Sequence, residues 1–141
     1  MFVVSLFYFG ESFMANYVII TNNPAVFDSY GEVVQCVSGG VEEVFTAVRD
    51  AIHLGALLIS HPLAGSLKPN ESPYKSVVLS TSRGQMDMAS LMTIEDATAT
   101  LRKLPVKKRH YSQQILEDFS VIDLDLIQSA MQSLPPVYHK H

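Results

Sequence analysis

The stretch Tyr17-Val18-Ile19-Ile20-Thr21-Asn22-Asn23-Pro24 decides the fold class. Its first four residues are apolar and rich in β-propensity, as in a strand buried on both faces of a parallel sheet. Thr21-Asn22-Asn23-Pro24 ends that strand. Asn23 is a natural helix cap, and Pro24 suits the first helical position, where a missing N–H is harmless. The spacing predicts a short helix to about Tyr30. A doubly buried strand running straight into a helix is the opening of an α/β layered domain.

Downstream of it the same alternation continues. Val33–Val37 is a second β-rich run, bounded by Gly31 and Ser38-Gly39-Gly40. Val41, Val44, Phe45, Val48 and Ile52 then form one helical stripe, with Glu42 and Glu43 in the favoured first turn and Gly55 closing it. Ala56–Ser60 and Ser76–Ser80 read as two further buried strands. After Asp87 the pattern turns helical: Met88, Leu91, Ile94 and Leu101 make one face, Ile115, Phe119, Ile122 and Leu126 another. Pro105 separates these helices and Pro135-Pro136 ends the second. The expectation is a small layered α/β domain with a mainly parallel sheet of about four strands flanked by helices. It occupies residues 14–134, after an N-terminal extension (1–13) and before a tail (135–141).

Met1-Phe2-Val3-Val4-Ser5-Leu6-Phe7-Tyr8-Phe9 looks like a secretory leader, yet no basic residue precedes it and no small-residue cleavage site follows. It is also far below the ~18 apolar residues that cross a bilayer. Met14 stands directly before the first strand, so residues 1–13 read either as an upstream start or as an added edge strand. A cytoplasmic location and no membrane association are expected.

Composition narrows the function classes without naming one. The chain has 141 residues, 48% hydrophobic and 17% charged, with a formal net charge of −4. That composition excludes intrinsic disorder and gives no electrostatic case for nucleic acid as a partner. The single cysteine, Cys36, excludes an internal disulfide, a dithiol redox pair and a cysteine-built zinc site; its apolar surroundings read as those of a small buried hydrophobe. His110, His139 and His141 have no metal-ligand spacing to carboxylates, and no dinucleotide glycine pattern occurs, so neither metal nor cofactor is expected. All ten lysines and arginines lie at or after Arg49, five of them between Arg102 and Arg109. This last run reads as a charged helix end and linker, or as a docking patch for an acidic partner.

Chemistry concentrates in His61-Pro62-Leu63-Ala64-Gly65-Ser66-Leu67-Lys68-Pro69-Asn70-Glu71-Ser72-Pro73-Tyr74-Lys75. This loop far exceeds the usual ~4–6-residue connection, and long ordered loops tend to be functional. Its prolines lower the entropy cost of holding one shape, while its polar residues supply donors. In a parallel sheet, ligands sit beyond the carboxyl ends of the strands, where both Asn22-Asn23-Pro24 and His61-Pro62 would lie. With the strands at Tyr17–Ile20 and Ala56–Ser60 as neighbours, Thr21, Asn22, Asn23, His61, Ser66 and Lys68 would surround one pocket. Asn70, Tyr74 and Lys75 complete the candidate ligand-binding set. Gly65-Ser66 with Lys68 and Lys75 suits a carboxylate or phosphate, although the segment is not a Walker A loop. Each of these residues also has a plainer reading: His61 bracing a turn, Asn22 and Asn23 serving as turn and cap, the lysines solvated.

Three segments carry a family resemblance: Val18-Ile19-Ile20-Thr21-Asn22-Asn23-Pro24, Val48-Arg49-Asp50-Ala51-Ile52-His53-Leu54-Gly55, and His61 through Ser76. Together, over roughly Ala15 to Leu104, they resemble the GrdX family. The resemblance implies association with the glycine, sarcosine and betaine reductase systems of amino-acid fermentation, for a small protein without an established activity. Those reductases use selenocysteine and thiol chemistry, which nothing around Cys36 reproduces. The expected role is therefore an accessory or regulatory protein that binds a small anionic metabolite or a reductase component through the 61–75 loop. Formation of a homo-oligomer is compatible with it. The alternative is an enzyme acting on a phosphorylated or carboxylated small molecule, with His61 as general acid–base and Lys68 stabilising developing charge.

Overall fold

Thr21 and Asn23 turn the first strand into the first helix. In the computed structural model, which describes residues 16–65, 70–105 and 110–135, β1 spans Tyr17–Thr21 and α1 spans Pro24–Tyr30. Asn23 Oδ1 accepts the N–H of Ala25 at 3.0 Å, and Pro24 occupies the first turn, as the sequence requires. One 3₁₀ turn (Gly31–Val33) leads into β2, Val34–Cys36, then α2, Val41–His53. Glu43 Oε1 takes the Gly40 N–H at 2.8 Å and so fixes the start of α2. β3 (Ser76–Ser80), α3 (Met88–Lys103) and α4 (Gln113–Gln132) complete the order.

The sheet order is β2-β1-β3, with β1 parallel to β2 and antiparallel to β3. Side chains alternate across it. Ile20, Val77 and Leu79 face the α2–α3 layer and pack with Val44, Phe45, Val48, Ile52, Ile94 and Ala97. Ile19 and Val78 face the other layer with Val26 of α1, Ile127 of α4 and Leu134. The result is a three-layer α/β/α domain.

The expectation of about four mainly parallel strands is corrected here: the sheet has three strands and is mixed. Ala56–Ser60 lies beside β3 but forms only one bridge, Leu58 with Leu79, and that bridge is antiparallel. Backbone bonds join it to β3, Ile59 N–H to the Val78 carbonyl at 2.9 Å and Ser80 N–H to the Leu57 carbonyl at 2.8 Å, and serine hydroxyls take up other positions along the pair. Leu57 N–H donates to Ser80 Oγ at 2.8 Å, Leu58 N–H to Ser90 Oγ at 3.0 Å, and Val78 N–H to Ser60 Oγ at 2.8 Å. Hydrophobic pattern alone cannot register that mixed pairing. The direction of β3 follows from its connection, since a parallel return needs a crossover and the described part of the 61–75 loop contains no helix.

Two helix faces also differ from expectation. Met88 is 56% exposed and Ile115 43% exposed, while Leu91 and Leu101 pack against the core as anticipated. On α4 the fully inward positions are Asp123 and Ile127. Cys36 is exposed, because β2 is an edge strand and Cys36 is its last residue. The extension 1–13, most of the tail and the run 106–109 lie outside the described residues. No helix among the described residues is long and apolar enough to cross a membrane.

Candidate functional site

β1 ends where β3 begins, because the two run antiparallel: Thr21 and Ser76 are register partners at that edge. By alternation both side chains share the face of Ile19 and Val78, toward α4. Asp123 projects from α4 onto this rung. Ser76 Oγ donates to Asp123 Oδ2 at 2.7 Å, so the 2.6 Å contact between the hydroxyls of Thr21 and Ser76 runs from Thr21 to Ser76. Thr21 Oγ1 in turn accepts the Asn23 N–H at 2.9 Å.

Asn23 closes the cluster and is itself only 1% exposed. Its Nδ2 donates to Asp123 Oδ2 at 3.0 Å and to the Ser120 carbonyl at 2.9 Å. Its Oδ1 accepts from Ala25 N–H and from Ser120 Oγ at 2.8 Å. With every side-chain group engaged, Asn23 ties β1, α1 and α4 together. Asn22 is equally committed: Nδ2 donates to the carbonyls of Gly39 (2.9 Å) and Pro73 (2.8 Å), and Oδ1 accepts the Lys75 N–H (2.9 Å). Both asparagines build the floor on which Lys75 is mounted.

Lys75 is half-buried, and its Nζ donates to the Ala64 carbonyl at 3.2 Å. Ala64-Gly65 is pressed against α4; a Cβ on Gly65 (φ +118°) would meet Leu126 Cδ1 at 2.8 Å. Leu126 lies three residues from Asp123, which brings the lysine's amino group to the side of α4 that carries the carboxylate. The two groups influence each other electrostatically. Burial pushes the Lys75 pKa down despite the nearby Asp123 charge. Burial likewise raises that of Asp123, outweighing the donors Asn23 and Ser76 and the charge of Lys75. Desolvation therefore moves both groups toward neutrality.

The other predicted residues divide. His61 is exposed, and its Nδ1 accepts the Leu63 N–H at 3.0 Å in a turn closed by Ala64 N–H on the His61 carbonyl. The neutral ring then carries its proton on Nε2, which leaves that donor toward solvent. β3 separates β1 from Ala56–Ser60, so His61 stands about 10 Å, two strand spacings, from the Asn22 turn rather than beside it. Asn70 points away, donating to the Pro105 carbonyl at 3.0 Å. Tyr74 is half-buried in a turn in which its N–H donates to Ser72 Oγ at 3.1 Å. Ser66 and Lys68 lie outside the described residues.

Sequence reasoning missed Asp123, Ser76 and Ser120. One signal was available, since Asp123 falls at i+4 from Phe119 and i−4 from Ile127, a lone charge on the inward stripe of α4. What the arrangement offers is a buried carboxylate held by Asn23 and Ser76 and a lysine with donors to give, both at the edge where the long loop begins and ends. No group of histidine, cysteine, aspartate or glutamate among the described residues could hold a metal ion.

Comparison with curated proteins and with solved structures returns no significant match. A family model described as GrdX-like protein matches residues 18–132, from β1 through the last residue of α4 and so across the whole polar cluster. On that match the chain belongs to the GrdX-like family.

Proposed function

We propose that this chain is a cytoplasmic accessory or regulatory protein of a glycine, sarcosine or betaine reductase system, and that it binds a small anionic metabolite or a reductase component at the carboxyl edge of β1. Family membership supports the physiological setting. The observation that carries the binding reading is Lys75: a half-buried ammonium, fixed through Asn22, with one of its three donors engaged by Ala64. A lysine held in that way gains most from an anionic partner. Lys68 and Ser66 belong to the same reading as further anion donors.

Titration of the full chain with phosphate and acetate, followed by amide chemical shifts, tests it. Shifts should cluster at 22–23, 61–65 and 73–76, and Lys75→Met should weaken binding about tenfold, or ~1.4 kcal/mol. Unchanged metabolite and reductase-component binding in Lys75→Met, His61→Ala and Lys68→Ala would reduce the loop to a structural part.

The second reading, an enzyme acting on a phosphorylated or carboxylated small molecule, is favoured by one observation. His61 has Nδ1 occupied within its own turn and Nε2 free to exchange a proton. Turnover lost in His61→Ala and retained in Lys75→Met would support it.

A further inference from the structure

We propose that α4 carries a docking surface for an amphipathic helix of a partner protein, whose apolar stripe seats on Ile115, Phe119, Ile122 and Leu126 and whose basic flank meets Asp118 and Asp125. The four apolar residues follow one another at steps of four, three and four, the spacing of a seam that packs against a second helix. The fold does not use that seam as its inward face. Asp123 and Ile127 point into the domain instead, and Ile122 and Ile115 stay 38% and 43% exposed. Along one side the stripe is bordered by its own chain: Tyr111 meets the Phe119 ring edge to face at 5.4 Å, and Gly65 lies against Leu126. Along the other stand Asp118 and Asp125, both exposed and each three residues on from an isoleucine of the stripe.

Charge selects among the occupants such a stripe could take. α4 contains Glu117, Asp118, Asp123 and Asp125 and no lysine, arginine or histidine. Two copies packed antiparallel through the stripe would bring Asp118 of one against Asp125 of the other at both ends, and like charges so placed repel. The apolar run 2–9 of the same chain has no charge to answer the aspartates. A helix with leucine-type residues in the same spacing and lysine or arginine at its flank gains on both counts, from apolar burial at the isoleucines and from ion pairs at the aspartates. Gln114 Nε2 donates to Asp118 Oδ1 at 3.0 Å, which steadies that carboxylate and leaves its second oxygen to a cation. This surface is additional to the Lys75 edge and does not depend on anion binding there.

The test uses the full chain and two synthetic helical peptides about three heptads long, with leucines at the same spacing and either lysine or glutamate at every flanking position. Fluorescence anisotropy should show the lysine peptide binding at least about tenfold tighter than the glutamate peptide, with the advantage shrinking as salt is added. Ile115→Gln combined with Ile122→Gln should weaken the lysine peptide about tenfold, and Asp118→Lys combined with Asp125→Lys should reverse the preference. Equal affinity for the two peptides, binding of neither, or an unchanged affinity in the isoleucine double variant overturns the inference. So does a dimer in sedimentation that Ile122→Gln dissociates, which assigns the stripe to a second copy. An increase of about tenfold in peptide affinity on Phe7→Lys overturns it as well, because the chain's own N-terminal run is then the occupant. The four substituted positions on α4 are exposed, and the wild-type comparison of the two peptides decides without them.

Discussion

At Asp123 the chain places a carboxylate where the pattern of α4 calls for a leucine, and the surroundings only partly repay its desolvation. Burial holds its pKa above the ordinary 3.8, so the folded state binds this proton more tightly than the unfolded state does. Stability from this group is then fully present at low pH and is lost as pH rises from about 4 through the folded pKa. Lys75, shifted downward, acts at the other end of the scale: the unfolded state holds its proton more tightly, and stability is lost as pH falls from about 10.5 through the folded value. Urea unfolding across pH should therefore show stability falling as pH rises above about 4, a limb that Asp123→Asn lacks. Asp123→Ala is a different experiment. It leaves Asn23 Nδ2 and Ser76 Oγ buried without their acceptor and should cost about 1–3 kcal/mol for each. This residue was visible in the sequence as a charge out of register, but its partners lie 47 and 100 positions away, and nothing local to α4 announces them.

At the scale of elements, legibility followed the range of the forces involved. The cap and first-turn proline of α1, and the stripe and acidic start of α2, are local effects, and both helices stand where those residues put them. Phe45 shows the energetic side: it is fully buried between α2 and the sheet, and Phe45→Ala should cost about 3–5 kcal/mol by chemical denaturation. Ala56–Ser60 was the opposite case, apolar enough for a strand yet bound to β3 partly by backbone groups and partly by hydroxyls that sequence distance hides. Ser90→Ala removes the acceptor of the Leu58 N–H, so that amide should exchange faster while the β1 amides keep their protection, with a loss of about 1 kcal/mol. Gly55 ends α2 at φ +111°, and a Cβ there would come within 2.3 Å of the Gly84 nitrogen. Gly55→Ala combines a disfavoured backbone with a backbone clash and should destabilise by more than about 2 kcal/mol.

Across the whole molecule, the long loop is fastened to nearly every layer it crosses. Asn22 binds Pro73 and Lys75 to the end of β1 and to Gly39 before α2; Asn70 reaches Pro105 after α3; Tyr111, before α4, donates to the Glu71 carbonyl at 2.8 Å; Gly65 rests on Leu126. The sequence marked this loop by its length and prolines, and it marked the polar residues as donors for a ligand. It could not show that many of them are engaged by the protein itself, since which acceptor lies opposite a side chain depends on how three layers meet. Asn22 is the common point of three of these ties, so it distinguishes a loop held by its own rigidity from one held by the body of the domain. Asn22→Ala removes the acceptor of the Lys75 N–H and the donors to Gly39 and Pro73, three bonds of about 0.5–1.5 kcal/mol each. Limited proteolysis should then cut within 61–75 at least tenfold faster than in the wild type, with α2 and β1 still protected and anion binding at Lys75 weakened in parallel. Cleavage and binding both unchanged would mean that the prolines alone hold the loop, and that Asn22 contributes only a turn.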